Sequence, residues 1–167
     1  MMVILALGSN IGDQIRNLQT AVKLLPLHNK LCSSVYKNPA MLPSNAPNWW
    51  NVPFLNMAVA GYTDLTPNAL LQNIKRIEYG LGRLDKTFWS PRIIDIDIVL
   101  WEGISIESVT LTIPHKEMLN RDFVLAPVCD ICPQFPHVVM KETVESLIMK
   151  KQNINVIKTH SNLPPWR

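Results

Sequence analysis

The apolar run VILALG (3–8) predicts a strand, and after the polar SNIGD the spacing Ile15, Leu18, Val22, Leu25 has helical period until Pro26 ends it. KLCSSVYK (30–37) alternates as a strand. Residues 38–53 are too crowded with Pro, Asn and Trp to form an element and read as a working loop. FLNMAVAGY (54–62) returns to strand. Thr66 and Pro67 give a cap and first-turn signal for a helix with Leu70, Ile74, Ile77 and Leu81 on its apolar side, ending near Gly80 and Gly82. A polar loop (83–91) leads into PRIIDIDIVL (91–100). The order strand, helix, strand, strand, helix, strand predicts an α+β fold with a ferredoxin-like βαββαβ core, its antiparallel sheet carrying helices on one face. A C-terminal extension follows. It reads as a short strand VTLTI (109–113), the stretch 114–133 without an assigned element, a helix from Thr143 to about Lys151, and a tail left undefined from about residue 152.

The stretch 91–100 breaks its own pattern. Ile93, Ile94, Ile96, Ile98 and Val99 suit a buried strand, yet Asp95 and Asp97 interrupt them. Successive strand residues point to opposite faces, so the two carboxylates share one face with Cα atoms roughly 6.5–7 Å apart, and Ile94, Ile96 and Ile98 take the other. Two half-buried carboxylates repel each other and need a positive partner. Arg92 or another arginine would make a structural ion-pair cluster, whereas divalent metal would make a phosphoryl-transfer site. An exposed edge strand is the third reading, and spacing alone leaves all three open.

A chain of 167 residues is the length of one domain, and residues 1–167 are expected to form one. Hydrophobic residues make up 47 % and charged ones 17 %, and no apolar run reaches membrane-spanning length. VILALG has no basic leader, so a cytoplasmic protein is expected. A net charge of +3 argues weakly for nucleic acid and better for a small anionic ligand. Cys129 and Cys132 have CxxC spacing, but zinc would have to recruit Cys32 or His137, so free thiols are expected. Among the functions open to such a fold, an RNA-binding module would need exposed aromatics on the strand that instead carries acids. A regulatory amino-acid-binding module would not need the acid pair. A phosphoryl-transfer enzyme needs acids, arginines and a histidine, and residues 83–121 supply all of them.

Several separated segments then agree at once: LALGSNIGD, FLNMAV, RIEYGLGR, FWSPRIIDIDIVL and IPHKEMLNRDFVLAP. Together, from about residue 3 to 135, they resemble the 6-hydroxymethyl-7,8-dihydropterin pyrophosphokinases of folate biosynthesis. The resemblance implies transfer of diphosphate from ATP to the pterin hydroxymethyl group, leaving AMP. It makes Asp95 and Asp97 ligands of two Mg²⁺ ions and assigns catalytic roles to Arg83 and Arg92 beside them. Toward ATP it places Glu78, Trp89, Arg92, Ile98, Thr112, His115 and Arg121. Toward the pterin it places Leu42, Pro43, Phe54, Asn56, Trp89, Asp95 and Phe123, with the rings of Phe54 and Phe123 sandwiching the pterin and Asn56 reading its edge. Taken singly, Glu78 would be an exposed helix residue and the two phenylalanines core residues.

The partners so implied are ATP and 6-hydroxymethyl-7,8-dihydropterin, with no nucleic acid and no membrane. The enzyme is expected to be a monofunctional monomer, without an appended aldolase or synthase domain. LGSNIGD lacks the lysine and spacing of a phosphate-cradling loop and reads as a strand-to-helix turn with an Asn or Asp cap. One departure stands out: between Arg83 and Trp89 the chain reads LDKTF, with Asp85, Lys86 and Phe88 where the family carries further arginines. Lys86 is the only cation left there and is expected to clamp ATP weakly.

Overall fold

In the computed structural model the described residues are 1–83 and 90–160. β1 (Met2–Ser9) runs between β4 (Phe54–Tyr62) and β5 (Asp95–Trp101), antiparallel to both. On its other edge β4 pairs with β2 (His28–Cys32) and β3 (Val35–Asn38) in turn. The stretch expected as one strand, 30–37, is thus divided. Ser33 and Ser34 separate the halves, and Ser33 stays tied to the sheet by its N–H donating to Ala58 O (2.9 Å) and its Oγ accepting from Ala58 N (2.8 Å). With α1 (Gln14–Leu24) and α2 (Pro67–Gly80) the expected order of elements is present. Asp13 caps α1 by accepting from Arg16 N, and Thr66 caps α2 by accepting from Ala69 N.

Helices cover both faces of the sheet, not one. α1 and α2 bury Leu18, Val22, Leu70 and Ile74 against Val3, Leu5, Leu7, Met57, Val59, Ile96 and Ile98. On the opposite face α3 (Asp122–Ile131) buries Val124, Leu125 and Val128 against Ile4, Ala58, Ala60, Val99 and Leu100. The reason lies in β1 and β4, which are apolar at consecutive positions and so present two faces that water must leave. The small side chains of Ala58 and Ala60 let α3 lie close.

The extension begins with the two-stranded ladder of β6 (Ile106–Glu107) and β7 (Thr112–Ile113). Of VTLTI only Thr112 and Ile113 are strand, and Val109 is fully exposed. A second short ladder, β8 (Pro136–His137) with β9 (Glu142–Thr143), leads into α4 (Val144–Met149), capped by Thr143. The tail left undefined from about 152 contains β10 (Ile157–His160), which adds to the sheet beside β3. The sheet order is therefore β10-β3-β4-β1-β5, with β2 alongside β4. No helix among the described residues is long and apolar enough to cross a membrane.

Candidate active site

At one end of the sheet the layer formed by α3 stops short, and the uncovered face is a cleft of about 350 Å³. Its floor follows from strand register. Gly8 of β1 lies opposite Asp95 of β5 on one side and Asn56 of β4 on the other, and Ala6 lies opposite Asp97 and Ala58. Asp95, Gly8 and Asn56 thus form one row across the sheet, with no side chain in the middle. A methyl group on Gly8 would sit 2.8 Å from Asn56 Oδ1 and 3.5 Å from Phe54 Cδ1, so the cleft is open here because residue 8 is glycine.

The alternation expected of β5 is present. Ile94, Ile96 and Ile98 are buried among α1 and α2, and the two aspartates face the cleft. Between Ile4, which pairs with Leu100, and Leu5, which pairs with Ile98, β5 carries the extra residue Val99, and Val99 and Leu100 both pack on the α3 side.

The two carboxylates have different surroundings. Asp95 receives Arg83 Nη1 on Oδ1 and Arg92 Nη1 on Oδ2, both at 2.6 Å. Burial pushes its pKa up, but Arg92 and then Arg83 outweigh burial and hold it below the ordinary value. Asp97 has the imidazole Nε2 of His115 at 4.0 Å and no lysine or arginine within that distance among the described residues. Burial first, and the Asp95 charge second, raise it to about 6. The ion-pair reading therefore describes Asp95, whereas Asp97 stays outside the cluster.

Glu78 underlies this arrangement. It is 2 % exposed rather than a surface residue. Its Oε1 accepts from Ile96 N (2.8 Å) and from Arg83 Nη1, and its Oε2 pairs with Lys75 Nζ (2.8 Å). It thus ties the end of α2 to β5 and aims Arg83 at Asp95. Arg92 is fixed through its backbone: its N–H donates to Asn10 Oδ1 (2.6 Å) and its carbonyl accepts from Asn10 N (3.0 Å). Asn10 also donates to Val52 O, so the SNIGD turn anchors a cleft-lining arginine besides supplying the Asp13 cap.

His115 lies across from β5, held by its N–H to Val99 O at 2.9 Å. Burial, then Arg121, lowers its pKa, favouring the neutral ring. Nδ1 accepts from Glu117 N (3.2 Å), which assigns the proton to Nε2, the nitrogen facing Asp97. Arg121 and Phe123 flank the first residue of α3, with the guanidinium carbon 5.9 Å from the ring centroid. Opposite them Asn56 Nδ2 donates to Asn38 Oδ1, which leaves the Asn56 carbonyl oxygen uncommitted by that bond.

Of the residues expected in the site, Phe54, Asn56, Arg83, Arg92, Asp95, Asp97, His115, Arg121 and Phe123 line the cleft together. Glu78 lies beneath it, Ile98 points into the α1–α2 core at 4 % exposure, and Thr112 sits on β7 outside the lining. From the 41–45 segment Met41 lines the cleft, whereas Leu42 and Pro43 do not. Trp89 and Lys86 lie outside the described residues. Lys75, Asn38 and Gly8 were not anticipated. Lys75 could have been found from its i, i+3 spacing to Glu78. Cys32, Cys129 and Cys132 are free thiols raised by burial, Cys32 to about 11, and among the described residues no cluster of three or more His, Cys, Asp or Glu side chains could hold a metal.

The pair of aspartates predicts opposite pH dependences for the metal-free fold. Asp97 binds its proton more tightly folded than unfolded, so its contribution to stability is full below the ordinary value of 3.8 and is lost as pH rises through about 6. Asp95 contributes above its ordinary value and loses that contribution as pH falls through its depressed folded value. Since 37 % of the Asp97 side chain is open to solvent, the effect is screened and modest. Urea midpoints at pH about 4 and about 7.5 should drop less in Asp97→Asn than in the unaltered chain; an equal drop would assign the dependence to another group.

The family model described as 7,8-dihydro-6-hydroxymethylpterin-pyrophosphokinase (HPPK) matches residues 4–133. The 2-amino-4-hydroxy-6-hydroxymethyldihydropteridine pyrophosphokinase of Methylorubrum extorquens is 38 % identical over 150 residues, spanning 87 % of this chain and 90 % of that protein. The Bacillus subtilis protein of the same name is 42 % identical over 135 residues, spanning 78 % and 77 %. Folic acid synthesis protein FOL1 of Dictyostelium discoideum is 36 % identical over 165 residues, spanning 98 % of this chain. This chain spans 24 % of the length of FOL1 and 30 % of the folate synthesis bifunctional protein of Chlamydia trachomatis. Among solved structures, Plasmodium falciparum HPPK-DHPS with pterin and p-hydrobenzoate superposes with a TM-score of 0.68 at 19 % identity, over 94 % of this chain and 47 % of that one, a likeness of fold. With the family match running through β1, β4, β5 and the cleft between them, the chain belongs to the 7,8-dihydro-6-hydroxymethylpterin-pyrophosphokinase family.

Proposed function

We propose that this protein transfers diphosphate from ATP to the hydroxymethyl group of 6-hydroxymethyl-7,8-dihydropterin, giving AMP and the pterin diphosphate, as a step of folate biosynthesis. The observation that carries the reading is the juxtaposition of two kinds of surface in one cleft. A charged half holds Asp95, Asp97, Arg83, Arg92, His115 and Arg121, and a flat-ligand half holds Phe54, Phe123 and the Asn38–Asn56 amide pair.

Charge arithmetic supports a metal-dependent form of the reaction. Lys75, Arg83 and Arg92 face Glu78, Asp95 and Asp97, so these groups balance, and Arg121 has no carboxylate partner among the described residues. ATP brings about four further negative charges, more than one guanidinium offsets. Asp95 and Asp97 are hard oxygen donors on one face of a strand, and Asp97 is open, so the residues present suit Mg²⁺, which keeps few protein ligands and takes the rest from phosphate and water. They would hold two Mg²⁺ ions, which when bound neutralise phosphate charge and favour the ionised form of an attacking hydroxyl. Arg83 and Arg92 would then exchange a carboxylate for phosphate, a geometry their planar forks also match. His115 donates from Nε2 to a phosphate oxygen, and Arg121 supplies its unpaired charge. On the other half, Phe54 and Phe123 stack on the pterin, and Asn56, oriented by Asn38, reads its edge.

We further propose that the described residues belong to one pyrophosphokinase domain acting as a monomer; one continuous sheet with both faces covered by elements of the same chain supports the single domain. A cytoplasmic setting, where ATP is at hand and thiols stay reduced, suits its three free cysteines.

Given ATP, Mg²⁺ and the reduced hydroxymethylpterin, the protein should form AMP and pterin diphosphate in equal amounts. ADP in place of AMP would make it an ordinary kinase. Gly8→Ala should push the Asn56 amide aside and raise the KM for the pterin by about tenfold while leaving that for ATP within about twofold. An unchanged pterin KM would remove Asn56 from the pterin site.

A further inference from the structure

The segment beyond the family-matched span runs back to the turn before α3, whose first residues border the cleft. Lys151, two residues past α4, reaches the turn that opens α3. Its Nζ lies 2.5 Å from Asp122 Oδ1 and donates to Leu119 O at 2.9 Å. Four residues on, Asn155 N donates to Asp122 Oδ2, also at 2.9 Å. Only 14 % of the Asp122 side chain and 22 % of Lys151 are exposed, so water screens the pair weakly. The segment then crosses to the far end of α3, where β10 joins β3 and Lys158 Nζ meets Asp130 Oδ1 at 3.0 Å. Asp130 in turn accepts from Ser34 N at 2.8 Å, next to the strand that carries Asn38. One segment thus ties α3 at both ends.

Asp122 sits between Arg121 and Phe123, both lining the cleft. α3 has no side-chain cap at its start, because Arg121 occupies the cap position and makes no capping bond. Besides the backbone bonds from Val124 N and Leu125 N to Arg121 O, the start of the helix is held by what grips Asp122. Any rotation at this residue swings the guanidinium and the ring together, one on the phosphate half of the cleft and one on the pterin half.

We propose that residues 151–158 form a strap that sets the position of Arg121 and Phe123, with Lys151 and Asp122 as its positioning residues. The inference rests on the pyrophosphokinase reading of the cleft. It differs from a purely stabilising ion pair in what it predicts for the two substrates.

The test is steady-state kinetics on the full chain for Lys151→Ala, Lys151→Arg and Asp122→Asn, with hydrogen exchange followed over residues 118–125. Asp122→Asn removes the charge yet keeps an oxygen for Asn155 N. Lys151→Ala should raise KM for both ATP and the pterin by about fivefold, leave kcat within about twofold and speed exchange over 118–125. Lys151→Arg should restore both KM values, and Asp122→Asn should show the same rise as Lys151→Ala. A lower melting temperature with both KM values unchanged would overturn the strap. If the unaltered protein forms no AMP, the pyrophosphokinase reading has failed instead, and exchange over 118–125 still decides the strap: unchanged exchange in Lys151→Ala overturns it.

Discussion

Everything in the cleft depends on the electrostatics of two carboxylates spaced one residue apart on β5. Close carboxylates on a half-buried face cannot both be charged without positive compensation. The chain supplies that compensation to one of them: Arg83 and Arg92 close on Asp95, with Glu78 and Lys75 behind Arg83. Asp97 is left under the influence of its neighbour, with its pKa raised to about 6 by burial and then by Asp95. The unequal treatment makes one carboxylate an anchor for arginines and leaves the other open, as the proposed cation site requires. On the proposed reading, the carboxylates balance Lys75, Arg83 and Arg92 before ATP binds, and the arginines would gain phosphate contacts as they turn from Asp95.

The sheet supplies the geometry for this. Glycine and alanine at positions 8 and 6 leave the floor clear between Asp95, Asp97 and Asn56, and α3 covers the same face only up to Phe123 and Val124. The helices on the opposite face do the larger share of apolar burial, holding β5 by Ile94, Ile96 and Ile98 so that the aspartates cannot turn inward. A one-residue slip of β5 would place isoleucines in the cleft and carboxylates in the core, so the core specifies the register that the chemistry needs.

Much of this was legible in the chain. The Thr66-Pro67 cap, the 3.6-residue period of α2 and the alternation of Ile and Asp in 91–100 each carry a local physical signal, and each corresponds to an observed element. α3 was not legible. Pro127 interrupts its hydrogen-bond ladder, the VLAPV run is apolar on every side, and no side chain caps its start. Missing α3 hid the second covered face, although the continuous apolar runs of β1 and β4 implied one. β10 was missed because Ile157–His160 lies in a polar tail and is ordered by pairing with β3, a contact distant in sequence. Asn38 and Gly8 are illegible for the same reason, since they matter through what the fold sets beside them, whereas Lys75 carries a local signal in its i, i+3 spacing to Glu78. Asp95, Asp97 and Arg92 follow from the pattern of 91–100 and the other six of the nine cleft residues from motif resemblance, whereas the division of labour between the two aspartates is visible only in the structure.

That division is best tested by comparing Asp95→Ala with Asp97→Ala in the absence of metal. If Asp95 anchors the arginines, Asp95→Ala strands the half-buried Arg92 guanidinium and leaves Arg83 on Glu78 alone, and should lower stability by about 3–5 kcal/mol in denaturant unfolding. Asp97→Ala removes only a repelled charge and should leave stability unchanged or slightly raised, while abolishing most Mg²⁺-dependent turnover. Equal destabilisation by both substitutions would contradict the account, since it would mean that the two carboxylates share one ion-pair cluster and that neither is held open for a cation.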